Sequence, residues 1–551
     1  MLLAAFLVGS AHAQQAWPPD AVIEEAAELQ ITDEGLDAIV DVIPSLIPGN
    51  LPLDTLAGED GWWCANYAYE LSNIWVGIEV TGADLSPGNG VLDVEADLQI
   101  RVNDSSDKFN IWYEIACIDT SCPGYVDPFD VHLTTTVAME VVPADNGTQA
   151  LDATIGDINA DIDYDTLAEN IQLDCWIGDV EEVLNWFGLS LYDLLFSLVG
   201  GALDSAIAGF GPDLEQTIEE AFSAANIEEQ IDVNGAVVDL KLYPDEIEIT
   251  PDGITVVMGG SMSSSEPALC IADSDPGGSL RTDSPLPGIA GLPSGTHVGI
   301  LLSDDFTNEA MYALYRGGVL CYELSGNDPL PINSSLLQLI AGDVFDELFP
   351  ETQPMIIATQ PRSPPEAYFD GPHSLDLAVN DLDLHFYAEV DGRMARVVTL
   401  ALDIDAGADL VFDPQTGDLE ILLDISSENV TADVVHNELV VGSDETIEAN
   451  FGGAFDTILD TVVGGLLADL AFGMPSFEGI GITTLDVQPV GPQQDWLGIM
   501  AGIGQTPYVG GDCSDCSGGG SGCSGGCAVG GPILNFWMAL ALSVVAVRRR
   551  S

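Results

Sequence analysis

Positive charge is what this chain has least of. It carries 11 Lys and Arg against 90 Asp and Glu, and only two of the bases are lysines, Lys108 and Lys241. A surface with a net charge of -79 repels phosphate, which excludes nucleic acid as a partner. Local signatures of chemistry are missing too. The body contains no Gly-x-Ser-x-Gly elbow, no His-Glu-x-x-His pair, no P-loop and no dinucleotide fingerprint. Its histidines, His132, His297, His373, His385 and His436, are scattered, so a metal site could come only from distant pieces. No cofactor is expected, and the chain reads as non-enzymatic. Paired carboxylates for glycoside hydrolysis stay open, because with 90 acids candidates abound and their separation cannot be read from sequence.

What is present begins with two unusual ends. Leu2 to Val8 is a short apolar run followed by Ala11-His12-Ala13, the small-x-small form that signal peptidase accepts. No Lys or Arg precedes the run, so the usual basic leader is lacking, but residues 1-13 are still expected to be a signal peptide. At the other end, residues 506-532 form a Gly/Ser/Cys-rich spacer, 533-547 an apolar run, and 548-551 a basic stop with Arg548, Arg549 and Arg550. Fifteen helical residues reach roughly 22 Å, short of a ~30 Å hydrocarbon core, which suits a transient transmembrane sorting helix. The arginines place the final residues on the cytoplasmic side. With Cys513, Cys516, Cys523 and Cys527 before it, the tail resembles the tripartite MYXO-CTERM sorting signals of some Gram-negative bacteria. That resemblance implies processing near Cys523 and Cys527 and membrane contact only before cleavage. A simple tail anchor, or a zinc knuckle built from the four cysteines, are the competing readings.

Hydrophobic residues make up 47% of the chain and its mean hydropathy is +0.24, so it can bury a large core across two or three domains. The acidic surface must then be screened, and concentrated salt does this over a few ångströms near 1 M. An exported protein at the cell surface or outer envelope, in a saline habitat, is the expectation. Calcium held on the acidic surface is the alternative. Its best candidate, Asp157-x-Asn159-x-Asp161, lacks the loop glycine (Ile162 is there) and the bidentate Glu (Ala168 is there), and reads instead as the wet face of a strand. The six body cysteines, Cys64, Cys117, Cys122, Cys175, Cys270 and Cys321, suggest disulfides outside the cytoplasm. Cys270 and Cys321 flank a Pro/Gly segment and pair most naturally. The other four leave three connectivities.

Much of the body alternates apolar and polar residues: Leu92 to Val102, Leu382 to Val390, Leu402 to Phe412 and Leu419 to Ile425. These are half-buried strands, greasy on one face and acidic on the other. Helical spacing appears at about 34-47, at about 180-225 with a break at Gly209 to Pro212, and at about 445-472. A Pro/Gly-rich linker at 273-297 separates residues 14-272 from 298-505. The two parts echo each other. Ile31-Thr32-Asp33 and Leu302-Ser303-Asp304 each put a hydroxyl residue where a helix N-cap is needed, so a duplicated strand and helix unit is expected.

The segments Leu29 to Asp37 and Leu302 to Leu314, with the strand, Asp391-Gly392-Arg393 turn and strand of Leu382 to Val398, resemble the tubular lipid-binding proteins related to bactericidal/permeability-increasing protein, lipopolysaccharide-binding protein and cholesteryl ester transfer protein. The resemblance covers about residues 30-503. It implies an α+β fold of two elongated, highly twisted antiparallel barrel-like domains, each wrapping a long helix, arranged end to end. It further implies lipid held in apolar tunnels. Leu36, Ile39, Val40 and Ile43 from the first helix, and Phe306, Ala310, Met311 and Leu314 from the second, would be the lining. Any one such residue is more often plain core. No basic cluster precedes Arg548, which makes anionic lipid A a poor cargo. The expected function is an exported lipid or hydrophobe binder; the rival is a structural or adhesive surface protein without a ligand.

Overall fold

The computed structural model describes residues 22-40, 50-53, 55-60, 67-115, 118-144, 149-162, 169-175, 226-233, 236-264, 267-271, 285, 287-325, 332-341, 345, 348-440, 442-462, 472-473, 476-477 and 480-505. The leader, the 176-225 stretch and the whole tail with its four cysteines lie outside them. Among the described residues no helix is long and apolar enough to cross a membrane.

Three antiparallel sheets make the body. The central one runs, from edge to edge, through Ile227–Val233, Ala236–Thr250, Gly253–Ser263, Ile23–Thr32, Val298–Ser303, Trp496–Gln505, Ile480–Val490 and Ser476–Phe477. A second sheet is built on Ile74–Pro87, Leu92–Val102 and the long Ile118–Pro143 strand. The third is built on the Leu375–Val390 and Arg393–Asp413 hairpin with Asp418–Asp424.

This corrects the expected architecture. Among the described residues strand accounts for 62% and helix for 13%, in several curled sheets, so the picture of one long helix wrapped by each of two end-to-end barrels fails. The described helix of the first half is only Asp33–Val40, and those of the second are Asp304–Gly317, Ser335–Ala341 and Asp444–Val462. The longest of them lies beside Ser335–Ala341 and the Val430–His436 strand. Nor are the halves merely linked, because Ile23–Thr32 from the first pairs directly with Val298–Ser303 from the second. Helical spacing in the sequence could not reveal that joint, since its partners lie far apart along the chain.

The joint has an internal two-fold character. The displacement that carries Thr32 onto Ser303 carries Leu29 onto Ile300, and Leu29 and Ile300 face each other across the ladder. On either side of this point a hairpin completes the pattern, Ala236–Thr250 with Gly253–Ser263 and Ile480–Val490 with Trp496–Gln505. The hydrogen bonds repeat as well. Gly35 N donates to Thr32 Oγ1 at 3.0 Å, and Phe306 N to Ser303 Oγ at 3.1 Å. Asp33 N donates to Asp252 O at 3.1 Å, and Asp304 N to Asp495 O at 2.9 Å. The expected duplicated unit, with its two hydroxyl N-caps, is therefore present in atomic detail.

Residues at the joint alternate strictly. Ala27, Leu29 and Ile31 point inward with Met258, Val256 and Ile254 on one side and Leu302, Ile300 and Val298 on the other, all in or against one apolar core. Two further clusters continue that core into the second and third sheets. The strand forecasts hold closely: Leu92–Val102 is a single strand, and Val390 pairs with Arg393 across a turn in which Asp391 and Gly392 take positive φ of 51° and 76°.

Candidate apolar binding face

In the second sheet the period of two sorts residues by face, apart from bulges after Val80 and Ile100. Ile78, Val80, Ala83 and Leu85 pair with Ile100, Leu98, Ala96 and Val94, which pair in turn with Phe129, Val131, Leu133 and Thr135; beyond them Leu92 pairs with Val137, and Val137, Met139 and Val141 with Ile155, Ala153 and Leu151. One face is thus a mostly apolar trough, with Thr135 its polar member. Its length along Leu92–Val102, eleven residues, is about 35 Å at the usual strand rise. Between them on the opposite face stand Glu79, Asp84, Asp93, Glu95, Asp97, Asp130 and Glu140, all exposed.

Coverage of the trough is uneven. At one end Val76, Leu98, Ile100, Val102, Phe129 and Val131 are fully buried, and at the other Leu92, Val137 and Ala153 are. Between those clusters Ile78, Val80, Leu85, Val94 and Ala96 are only half-buried. The third sheet repeats the arrangement with Leu377, Leu384, Ile404, Leu410 and Phe412 half-buried beside buried Leu400, Leu402 and Phe386. Half-covered aliphatic side chains leave apolar surface for a ligand to cover.

The residues expected to line a tunnel sit elsewhere. Leu36, Phe306, Met311 and Leu314 are buried in the central core, Ala310 packs against it, and Val40 is half-buried. Ile43 and the side chain of Ile39 lie outside the described residues. The trough residues went unnamed as a site because alternation marks a face and cannot say whether that face is filled.

Titratable groups cluster apart from the trough. His373 Nδ1 lies 2.9 Å from Asp409 Oδ2 and its Nε2 3.5 Å from Asp424. The hydrogen bond to Asp409 raises the imidazole above its ordinary range and lowers the carboxyl below its own. His385, on the face predicted to be acidic, is buried between Thr399 and Gln360, and burial lowers its pKa. Among the described residues no group of three His, Cys, Asp or Glu side chains could hold a metal. Asp157, Asn159 and Asp161 are exposed in alternation with Ile158 and Ala160, which pack inward, as the wet-face reading required. Among the described residues two disulfides are formed, Cys122–Cys175 and Cys270–Cys321. Cys64 and Cys117 lie outside the described residues.

No family model matches the chain, and no curated protein matches it. Among solved structures it is similar to lipopolysaccharide binding protein, at 15% identity and a TM-score of 0.44, over 88% of this chain and 100% of that one. P47 of Clostridium botulinum E1 matches over the same shares at 9% identity and a TM-score of 0.23. At these levels the superpositions assign neither ligand nor activity.

Proposed function

We propose that the protein binds a lipid or another elongated hydrophobic molecule along its aliphatic troughs, without catalysing a reaction. The observation that supports this most is the half-covered row Ile78, Val80, Leu85, Val94 and Ala96, framed at both ends by fully buried core. A sheet that served only as scaffold would gain about 25 cal/mol for each further Å² it covered, so leaving an apolar row half-covered runs against its own stability. The acidic outer faces favour a neutral or apolar cargo over an anionic headgroup.

The test is uptake by the purified full chain. After delipidation, native mass spectrometry with a long-chain fatty acid or a zwitterionic phospholipid should show a stoichiometric complex, and Val94→Asp should weaken it at least tenfold. No uptake by the wild type sinks the lipid reading and leaves the adhesive one. The reading also includes export, a processed C-terminal sorting tail, and residence at the surface of a Gram-negative cell in salty surroundings, for which the leader, tail and charge are the support. Stability should rise steeply between about 0.1 and 2 M NaCl; a matching rise with low millimolar calcium alone would point to bound cations instead.

A further inference from the structure

The outer face of the joint buries an acid and an amide. Glu28 and Gln30 point outward from Ile23–Thr32, yet they are 2% and 0% exposed. Flanking them on that face are Val257 and Thr255 on one side and Leu301 and Gly299 on the other. The cover comes from the connection between the halves. Gln30 Nε2 donates to Pro287 O at 2.7 Å and to Glu28 Oε1 at 2.9 Å. The 3-10 turn Ile289–Gly291 packs on the strand, and Thr32 Oγ1 donates to Thr296 O at 2.7 Å. Gly299 makes room for this strap, since a Cβ there would come within 3.1 Å of Leu292 and 3.5 Å of Gln30 Oε1.

The site is left incomplete. Glu28 Oε2 and Gln30 Oε1 are buried with no hydrogen-bond partner, although buried polar atoms are nearly always satisfied. Among the described residues no Lys or Arg pairs with this carboxylate. The described ionisable groups nearby are Glu25 on the same strand, Glu246 and Glu248 on Ala236–Thr250, and His297 at the end of the strap, whose Nδ1 accepts from Ile503 N at 3.0 Å. Neighbouring strands Gly253–Ser263, Val298–Ser303 and Trp496–Gln505, and strap residues 287–296, carry none.

We infer that the strap over the joint is a pH-operated latch, closed while Glu28 is neutral and released when Glu28 ionises and must reach water. The lifted strap would give up the Gln30 contact with Pro287 and expose the outer seam. Burial, reinforced by Glu25 and Glu248 against a lowering hydrogen bond from Gln30, pushes the Glu28 carboxyl up to about 7 from an ordinary 4.5. Ionisation therefore falls within the physiological range.

Hydrogen exchange of the full chain between pH 5.5 and 8.5, corrected for intrinsic base catalysis, tests this. Wild-type strap amides should lose about 30-fold of their protection across that range, with a midpoint near 7, while Glu28→Gln keeps them protected throughout. Protection in the wild type that does not change with pH overturns the latch, as does the same loss in Glu28→Gln. Should that variant fail to fold, the exposed Glu248→Gln replaces it. Its midpoint should move to lower pH, and an unmoved midpoint counts against Glu28 as the trigger.

Discussion

Along Ile23–Thr32 the outer face of the joint buries Glu28 and Gln30, whereas the equivalent places on Val298–Ser303 are Gly299 and Leu301. The backbone, the N-caps and the inner apolar rows are shared by the two halves. Polar burial is not. A duplicated backbone thus tolerates divergence on its outer face, because there packing is set by the strap and not by the shared core. The helix starts diverge in the same spirit. Gly35 occupies the first half's place for Phe306, and its missing Cβ would sit 2.2 Å from the His297 carbonyl oxygen, so the first helix lies flat against backbone while the second buries an aromatic ring.

The sharpest way to break the comparison is to empty its cores. Phe306→Ala should cost about 3–5 kcal/mol and Leu36→Ala about 2–5 kcal/mol in chemical denaturation, and equal losses would say that both helix starts support the fold to the same extent. Next comes the buried acid. Because its folded pKa of about 7 exceeds the ordinary 4.5, the stability that the neutral Glu28 contributes is fully present only below about 4.5 and is lost as pH rises through 7. Glu28→Gln should therefore match the wild type at pH 4 and exceed it by up to about 3 kcal/mol at pH 8. The caps follow: Ser303→Ala and Thr32→Ala should each cost about 0.5–2 kcal/mol, the buried Ser303 nearer the top of that range. The smallest effect belongs to the third sheet, where Asp409→Asn should lower the His373 titration midpoint towards 6.5, as followed by NMR of its ring protons. The raised imidazole contributes stability below about 6.5 that fades as pH climbs through its folded value.

Strand positions were legible because alternation at Leu92 to Val102 or Leu402 to Phe412 is a local property. The two caps were legible for the same reason: Thr32 and Ser303 each precede an acidic first turn. The Cys270–Cys321 pairing followed from its Pro/Gly surroundings. The joint itself was hidden. Nothing near Leu29 announces that its neighbours across the sheet are Val256 and Ile300, so two separate barrels looked sufficient. The troughs were hidden differently, since Val94 and Leu92 read alike although one is half-buried and the other buried.

That joint also sets an order of events. Thr32 contacts residues 264 positions further along the chain, and the other edge of its strand waits for Gly253–Ser263. The strand therefore waits with both edges unpaired until Gly253–Ser263 is made, and with one edge open until Val298–Ser303 follows; pairings this distant form slowly and leave edges open to aggregation. Glu24, Glu25 and Glu28, within its first six residues, set like charges on those waiting edges, which keeps a nascent chain apart from its own copies until its distant partners arrive.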